Sequence, residues 1–97
     1  MDIWKQRVTP ADEVLHQELA GETVLLHLKT EHYFGLDPVG TRIWQVLGET
    51  GSAEAVVVRL LTEYDVDESR LRADVERLLG ELIAGHLVKV EAVNASA

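Results

Sequence analysis

Residues 32–44, HYFGLDPVGTRIW, carry a change of hydrophobic period that constrains this chain more than any other feature. Before the stretch, apolar residues alternate as in strands; after it they recur at helical spacing. The break itself holds Gly35, an Asp37-Pro38 step and Gly40, together with the only Phe, one of two Tyr and one of two Trp.

Upstream, Leu15 and Leu19 flank Gln17, and the run TVLLHL after Gly21 sets Val24, Leu26 and Leu28 on one face. Lys29-Thr30-Glu31 interrupts with polar residues. Extended character then resumes, with Phe34 and Leu36 of one parity and Tyr33 of the other. The spacing predicts three strands, near residues 13–19, 23–28 and 32–36, joined as a meander.

Downstream, Asp37-Pro38 is a helix start: the carboxylate can accept from first-turn amides, and Pro loses nothing at the first helical position. Val39, Ile43, Val46 and Leu47 share a face with Trp44 at its margin, and Gly48 is expected to end this helix. Gly51-Ser52 restarts a second helix, which gathers Ala53, Val56, Val57, Leu60, Leu61 and Tyr64 on one side. A third begins at Asp67, with Glu68 near its positive end, and runs to about residue 84 before Gly85. Residues 86–90 read as a short extended tail. The expected fold is therefore α+β and winged-helix-like, a three-stranded antiparallel meander followed by three helices. Residues 1–11 are expected as a flexible or extended arm in which Trp4 caps a core edge, residues 12–90 as the domain, and residues 91–97 as a frayed tail.

Composition closes off several function classes. At 97 residues and 46% apolar content the chain suits one domain with a modest core. The absence of cysteine excludes disulfides, thiolate metal sites and cysteine nucleophiles. A formal charge of −8 makes a phosphate backbone a poor partner, since nucleic-acid affinity rests on cationic side chains displacing counterions. No apolar run is long enough for a membrane helix, and Asp2, Lys5 and Arg7 interrupt any signal peptide, so a cytoplasmic protein without membrane contact is expected. His27 and His32 fall on adjacent strands but lack an arranged carboxylate, and His16 and His86 are isolated. Asp65, Asp67 and Glu68 lack the glycine and spacing of a calcium loop and read as turn and cap. Ser52 and Ser69 have no nucleophile setting, and no phosphate-cradling loop is present. No catalytic residue, metal or cofactor is expected.

The third helix has more apolar surface than one packing face requires. At 100° per residue, Leu71, Leu78, Leu82, Val75, Leu79 and Ile83 span an arc of roughly 140°, against the about 100° that one face needs. Deeper burial accounts for this, or else Leu79 and Ile83 line a groove. The third strand, last in the meander, could form the second wall and offer an unpaired edge.

The succession ETVLLHLKTEHYFGLDPVGTRIWQVL, then TEYDVDESRL, then DVERLLGELIAGHLVKV resembles the pyrroloquinoline quinone biosynthesis protein D family (PqqD). That family includes the stand-alone recognition elements of lasso-peptide and other ribosomal peptide pathways. The resemblance spans about residues 12–90 and is most specific at Tyr33-Phe34-Gly35-Leu36-Asp37, Gly40, Ile43-Trp44 and Tyr64-Asp65-Val66. It implies non-catalytic capture of a precursor leader peptide as an added strand, and presentation to a leader peptidase or other peptide-modifying enzyme. Carried onto this chain, His32, Tyr33, Phe34, Gly35 and Leu36 would pair with the peptide. Leu71, Val75, Leu78, Leu79 and Leu82 would offer the helix wall, some of them buried in the core instead, with Arg70, Arg72 and Arg77 at the rim. The YFGLD form points to the lasso type; a peptide chaperone of quinone-cofactor synthesis acting with a radical enzyme is the alternative within the family. Outside it stand a winged-helix DNA-binding domain, which the mixed charge of the third helix disfavours, and a purely structural adaptor.

Overall fold

The computed structural model describes residues 2–92. A 3-10 turn at Ile3–Lys5 leads into β1 (Gln6–Pro10); β2 (Val14–Leu19), β3 (Glu22–His27) and β4 (Tyr33–Leu36) follow; then come α1 (Pro38–Thr50), α2 (Ala53–Glu63), α3 (Glu68–Ala84) and β5 (Val88–Ala92). The meander forms an antiparallel sheet in the order β2-β3-β4, and the three helices follow it as expected.

The outer parts of the chain, expected as a flexible or extended arm and a frayed tail, meet each other. Gln6–Pro10 pairs antiparallel with Val88–Ala92 in a second sheet, Gln6 opposite Ala92 and Pro10 opposite Val88. Val8 is fully buried there, and Ile3 joins it in the core. A five-residue strand with one inward side chain leaves too short a pattern to read in sequence. Trp4 packs at the core edge, as expected, donating from Nε1 to Glu76 at 3.2 Å beneath the Arg72 guanidinium, 5.2 Å from the ring centroid. Of the expected tail, Glu91 and Ala92 belong to β5, and residues 93–97 lie outside the described residues.

The helix starts follow the cap chemistry. Asp37 accepts from Gly40 N–H at 2.7 Å, Ser52 from Ala55 at 3.1 Å and Asp67 from Arg70 at 3.1 Å. The first stop differs from expectation. α1 runs through Gly48 to Thr50, and Gly51 caps it in the left-handed region at φ 67°, donating to the Leu47 carbonyl at 2.7 Å. At the end of α3 the left-handed residue is His86, at φ 59°, one past Gly85.

Gly48 inside α1 and Gly51 at its cap should respond to alanine with opposite signs. A Cβ on Gly48 meets nothing within 4 Å, so Gly48→Ala should stabilise by about 0.5–1 kcal/mol through helix propensity. On Gly51 it would sit 3.1 Å from the Arg7 guanidinium carbon on a left-handed backbone, and Gly51→Ala should cost about 1–2 kcal/mol. Thermal melts of the two variants, shifted up and down, check the assignment.

The core lies between the sheets and the helices: Leu25 from β3, Val46 and Leu47 from α1, Val56, Val57 and Leu60 from α2, Val75, Leu79 and Leu82 from α3 are all sealed from solvent. Ion pairs tie the helices outside it. Arg42 of α1 grips Glu63 of α2 through two bonds of 2.7 Å, and Arg72 of α3 grips Glu54 of α2 at 2.7 and 2.8 Å and Glu68 at 2.9 Å. The guanidinium bonds hold the Glu63 and Glu54 carboxyls below their ordinary range, and the Ser69 hydroxyl with the Arg70 amide does so for Asp67. Groups lowered in the folded state contribute stability above their unfolded values and lose it as pH falls through their folded ones. Melting temperature should therefore decline below pH of about 4, and less steeply in high salt because these pairs reach water. A melt series across that range, with and without salt, measures it.

Candidate functional site: the free edge of β4 and its groove

β4 is the last strand of its sheet, and backbone bonding shows which of its groups remain available. His27 N–H donates to the His32 carbonyl at 3.0 Å, and the same register pairs Leu25 with Phe34 and Thr23 with Leu36. Hydrogen-bonded pairs alternate along an antiparallel ladder. Phe34 and Leu36 therefore spend their backbone groups on β3, whereas Tyr33 and Gly35 turn theirs outward. The β2 side agrees: Leu28 N–H donates to Glu13 at 2.8 Å, so the even-numbered residues of β3 bond to β2 and the odd-numbered ones to β4. Among the described residues no strand covers the outer edge of β4.

Beside this edge lies a groove of about 470 Å³, lined by Phe34, Gly35, Leu36 and Val39 on one wall and by Asp74, Arg77, Leu78 and Glu81 of α3 on the other. Phe34 is half-buried and Leu36 buried. Asp37, Gly40 and Ile43 complete the lining. Arg77 meets Glu81 at 3.7 Å, so one cation stands among Asp37, Asp74 and Glu81.

The helix wall is not the one its apolar arc suggested. Leu79 is fully buried and Ile83 half-buried, and neither lines the groove. Leu71, Val75 and Leu82 are likewise core residues, which leaves Leu78 as the one expected apolar side chain that reaches the groove. The wide arc reflects deep burial between helices and sheets. The groove begins on the other flank, where the rim candidate Arg77 stands between Asp74 and Glu81, neither of them singled out in the sequence. Of the three rim arginines, Arg77 lines the groove and Arg70 is exposed, whereas Arg72 is held by Glu54, Glu68 and Trp4.

The sheet's outer face is apolar too. Leu26 lies opposite both Leu15 and Tyr33, and Val24 opposite both Gln17 and Gly35. Leu15, Leu19, Val24, Leu28 and Tyr33 are all exposed, so the shared face of Val24, Leu26 and Leu28 points to solvent while Leu25 turns inward. His27 is buried, and its Nδ1 accepts from the Lys29 and Thr30 amides at 3.2 and 3.3 Å, shaping the turn before β4. His16 packs edge-on to Trp44 at 6.5 Å. Among the described residues no three His, Asp or Glu side chains are grouped to hold a metal, and no helix is long and apolar enough to cross a membrane.

Residues 22–88 match the family model for coenzyme PQQ synthesis protein D (PqqD). The chain belongs to the PqqD family. Two solved structures are similar to this PqqD-family domain. One is TbiB1 in complex with the TbiA(beta) leader peptide, 38% identical, covering 84% of this chain and 94% of that one with a TM-score of 0.79. The other is a lasso peptide synthetase B1 complexed with the leader peptide, 22% identical, covering 86% and 98% with a TM-score of 0.77; it attests the fold. No curated protein sequence matches significantly.

Proposed function

We propose that this domain is a non-catalytic recognition element that captures the leader of a ribosomally made precursor peptide as a strand added to β4, with alternate side chains entering the groove against α3. The observation that carries this reading is the outward Tyr33 and Gly35 backbone above a groove part apolar and part charged. Main-chain bonds supply affinity in such strand addition, and alternate side chains supply selectivity. The likeness to TbiB1, solved with a leader peptide, supports it. The captured peptide is then presented to a peptide-modifying enzyme, for which the exposed Leu15, Leu19 and Leu28 offer an apolar surface away from the docking edge, Leu15 and Leu19 on the far strand of the same sheet.

Magnitudes are consistent with this. Two or three leader side chains at roughly 1.5–3 kcal/mol each, and four backbone bonds at about 0.5–1.5 kcal/mol each, give a gross gain on the order of 10 kcal/mol. Ordering the peptide costs about 2–5 kcal/mol, and association costs more, which points to micromolar or tighter binding. Groove acids beside a −8 protein disfavour acidic leaders.

A labelled leader panel that includes TbiA(beta) should bind saturably in fluorescence anisotropy. Leu78→Glu should weaken it about tenfold or more, by setting a charge where an apolar side chain must sit. Duplex DNA in the same assay should not bind, since the accessible side of α3 mixes Arg70 and Arg77 with Asp74, Glu76 and Glu81. Salt-sensitive DNA binding with no leader bound would overturn the reading.

A further inference from the structure

Gly35 has no explanation inside the folded domain. It sits mid-strand, where glycine is entropically costly and has no side chain to pack. Its φ is not positive, and a Cβ built on it meets nothing within 4 Å. Neither a strained backbone nor a close internal neighbour therefore requires the missing side chain. Interior strand glycines otherwise mark places where a ligand or another chain approaches closely.

The surroundings of Gly35 specify what approaches. By strand parity its missing side chain would project on the outer face, with Tyr33 two residues away along β4 and Val24 directly across on β3. Tyr33 is 74% exposed and Val24 47%, so the vacancy has an aromatic wall and an aliphatic wall, both open to solvent. Its third side is the free edge. Because the outward backbone groups of Gly35 form part of that edge, a strand added there places one residue opposite Gly35 with its side chain on this same outer face. Large side chains, aromatic ones above all, cover a neighbouring glycine on a sheet surface and gain contact that a cross-strand side chain would otherwise deny them.

Resting on the strand-addition reading above, we infer that Gly35 forms a second specificity slot, on the sheet face opposite the α3 groove, for one large apolar or aromatic leader side chain held between Tyr33 and Val24. The leader is thereby read on both faces, alternate residues entering the groove and one outward residue covering Gly35.

Selection from a random peptide library against the wild type, Gly35→Val and Tyr33→Pro tests this. Gly35→Val has open space for its side chain and a good strand former in place of a poor one, so its melting temperature should hold or rise. Wild-type binders should share a Phe, Tyr, Trp, Leu or Ile at one register that Gly35→Val no longer selects. Replacing that residue by Ala should cost wild-type affinity about tenfold, with little further loss in Gly35→Val, the signature of a coupled pair. If Gly35→Val selects the same residue, or the two changes add independently, the slot is refuted while Tyr33→Pro sensitivity keeps the edge reading intact. If Tyr33→Pro enriches the same peptides as the wild type, or the wild type enriches none, both readings fall.

Discussion

Tyr33→Pro should abolish leader capture in a domain that stays folded. The Tyr33 N–H points away from β3, so proline removes no bond of the sheet, and it takes the first position of an edge strand, where proline is tolerated. For the incoming peptide the loss is large: one donor goes, and the carbonyl it would have served is left unpaired. Together these come to about 2–4 kcal/mol, roughly a 30-fold to 1,000-fold loss of affinity. Two neighbours make the result diagnostic. Tyr33→Ala keeps the N–H and should lose only what the ring contributes, whereas Phe34→Pro removes a bond to β3 and should loosen the sheet itself. Circular dichroism and anisotropy on the three proteins separate edge from side chain from fold; a folded Tyr33→Pro domain that binds leader normally removes β4 as the docking edge.

Leu79→Ala should have the largest effect on stability. The side chain is fully enclosed in the core, and truncation at such a site costs about 2–5 kcal/mol through lost burial and the cavity left behind. Domains of this size are stable by only about 5–15 kcal/mol, so a drop in melting temperature on the order of 10–30 °C is expected. The adjacent position gives the contrast. Leu78 borders the groove, and Leu78→Ala should lose less stability but some leader affinity, since its side chain serves both the core and the peptide wall. Urea melts paired with anisotropy at the two positions distinguish them; equal stability losses with binding unchanged in both would remove α3 from the site.

Much of this is legible in the sequence, because local chemistry determines it. Asp37, Ser52 and Asp67 start helices for reasons confined to one turn, and the change of period at residues 32–44 separates sheet from bundle. What stayed hidden depended on tertiary partners. Gly48 reads as the stop and Gly51 as the restart, and only the course of the chain into the Val8 contact places Gly51 at the left-handed cap. The run TVLLHL is apolar on both faces, so alternation could not say that Leu25 rather than Leu26 turns inward; the ambiguity arises because the outer face is itself apolar. The groove flank of α3 was missed for the converse reason. Asp74 and Glu81, on either side of the rim candidate Arg77, have the composition of a solvated surface, and only the proximity of β4 makes them a wall.

The pairing of Gln6 with Ala92 sets the start of β1 beside the end of β5. Among the described residues only Asp2 and the 3-10 turn, with Ile3 buried, precede β1, so chain joined before that turn and chain joined after β5 would leave from nearby points. A domain built this way can be spliced into a loop of another protein, or carry a fused enzyme at either end, with little change in where that enzyme sits relative to β4. The order in which a recognition element and its catalyst are encoded on one polypeptide thus becomes a nearly free choice, with linker length rather than order setting what the catalyst can reach.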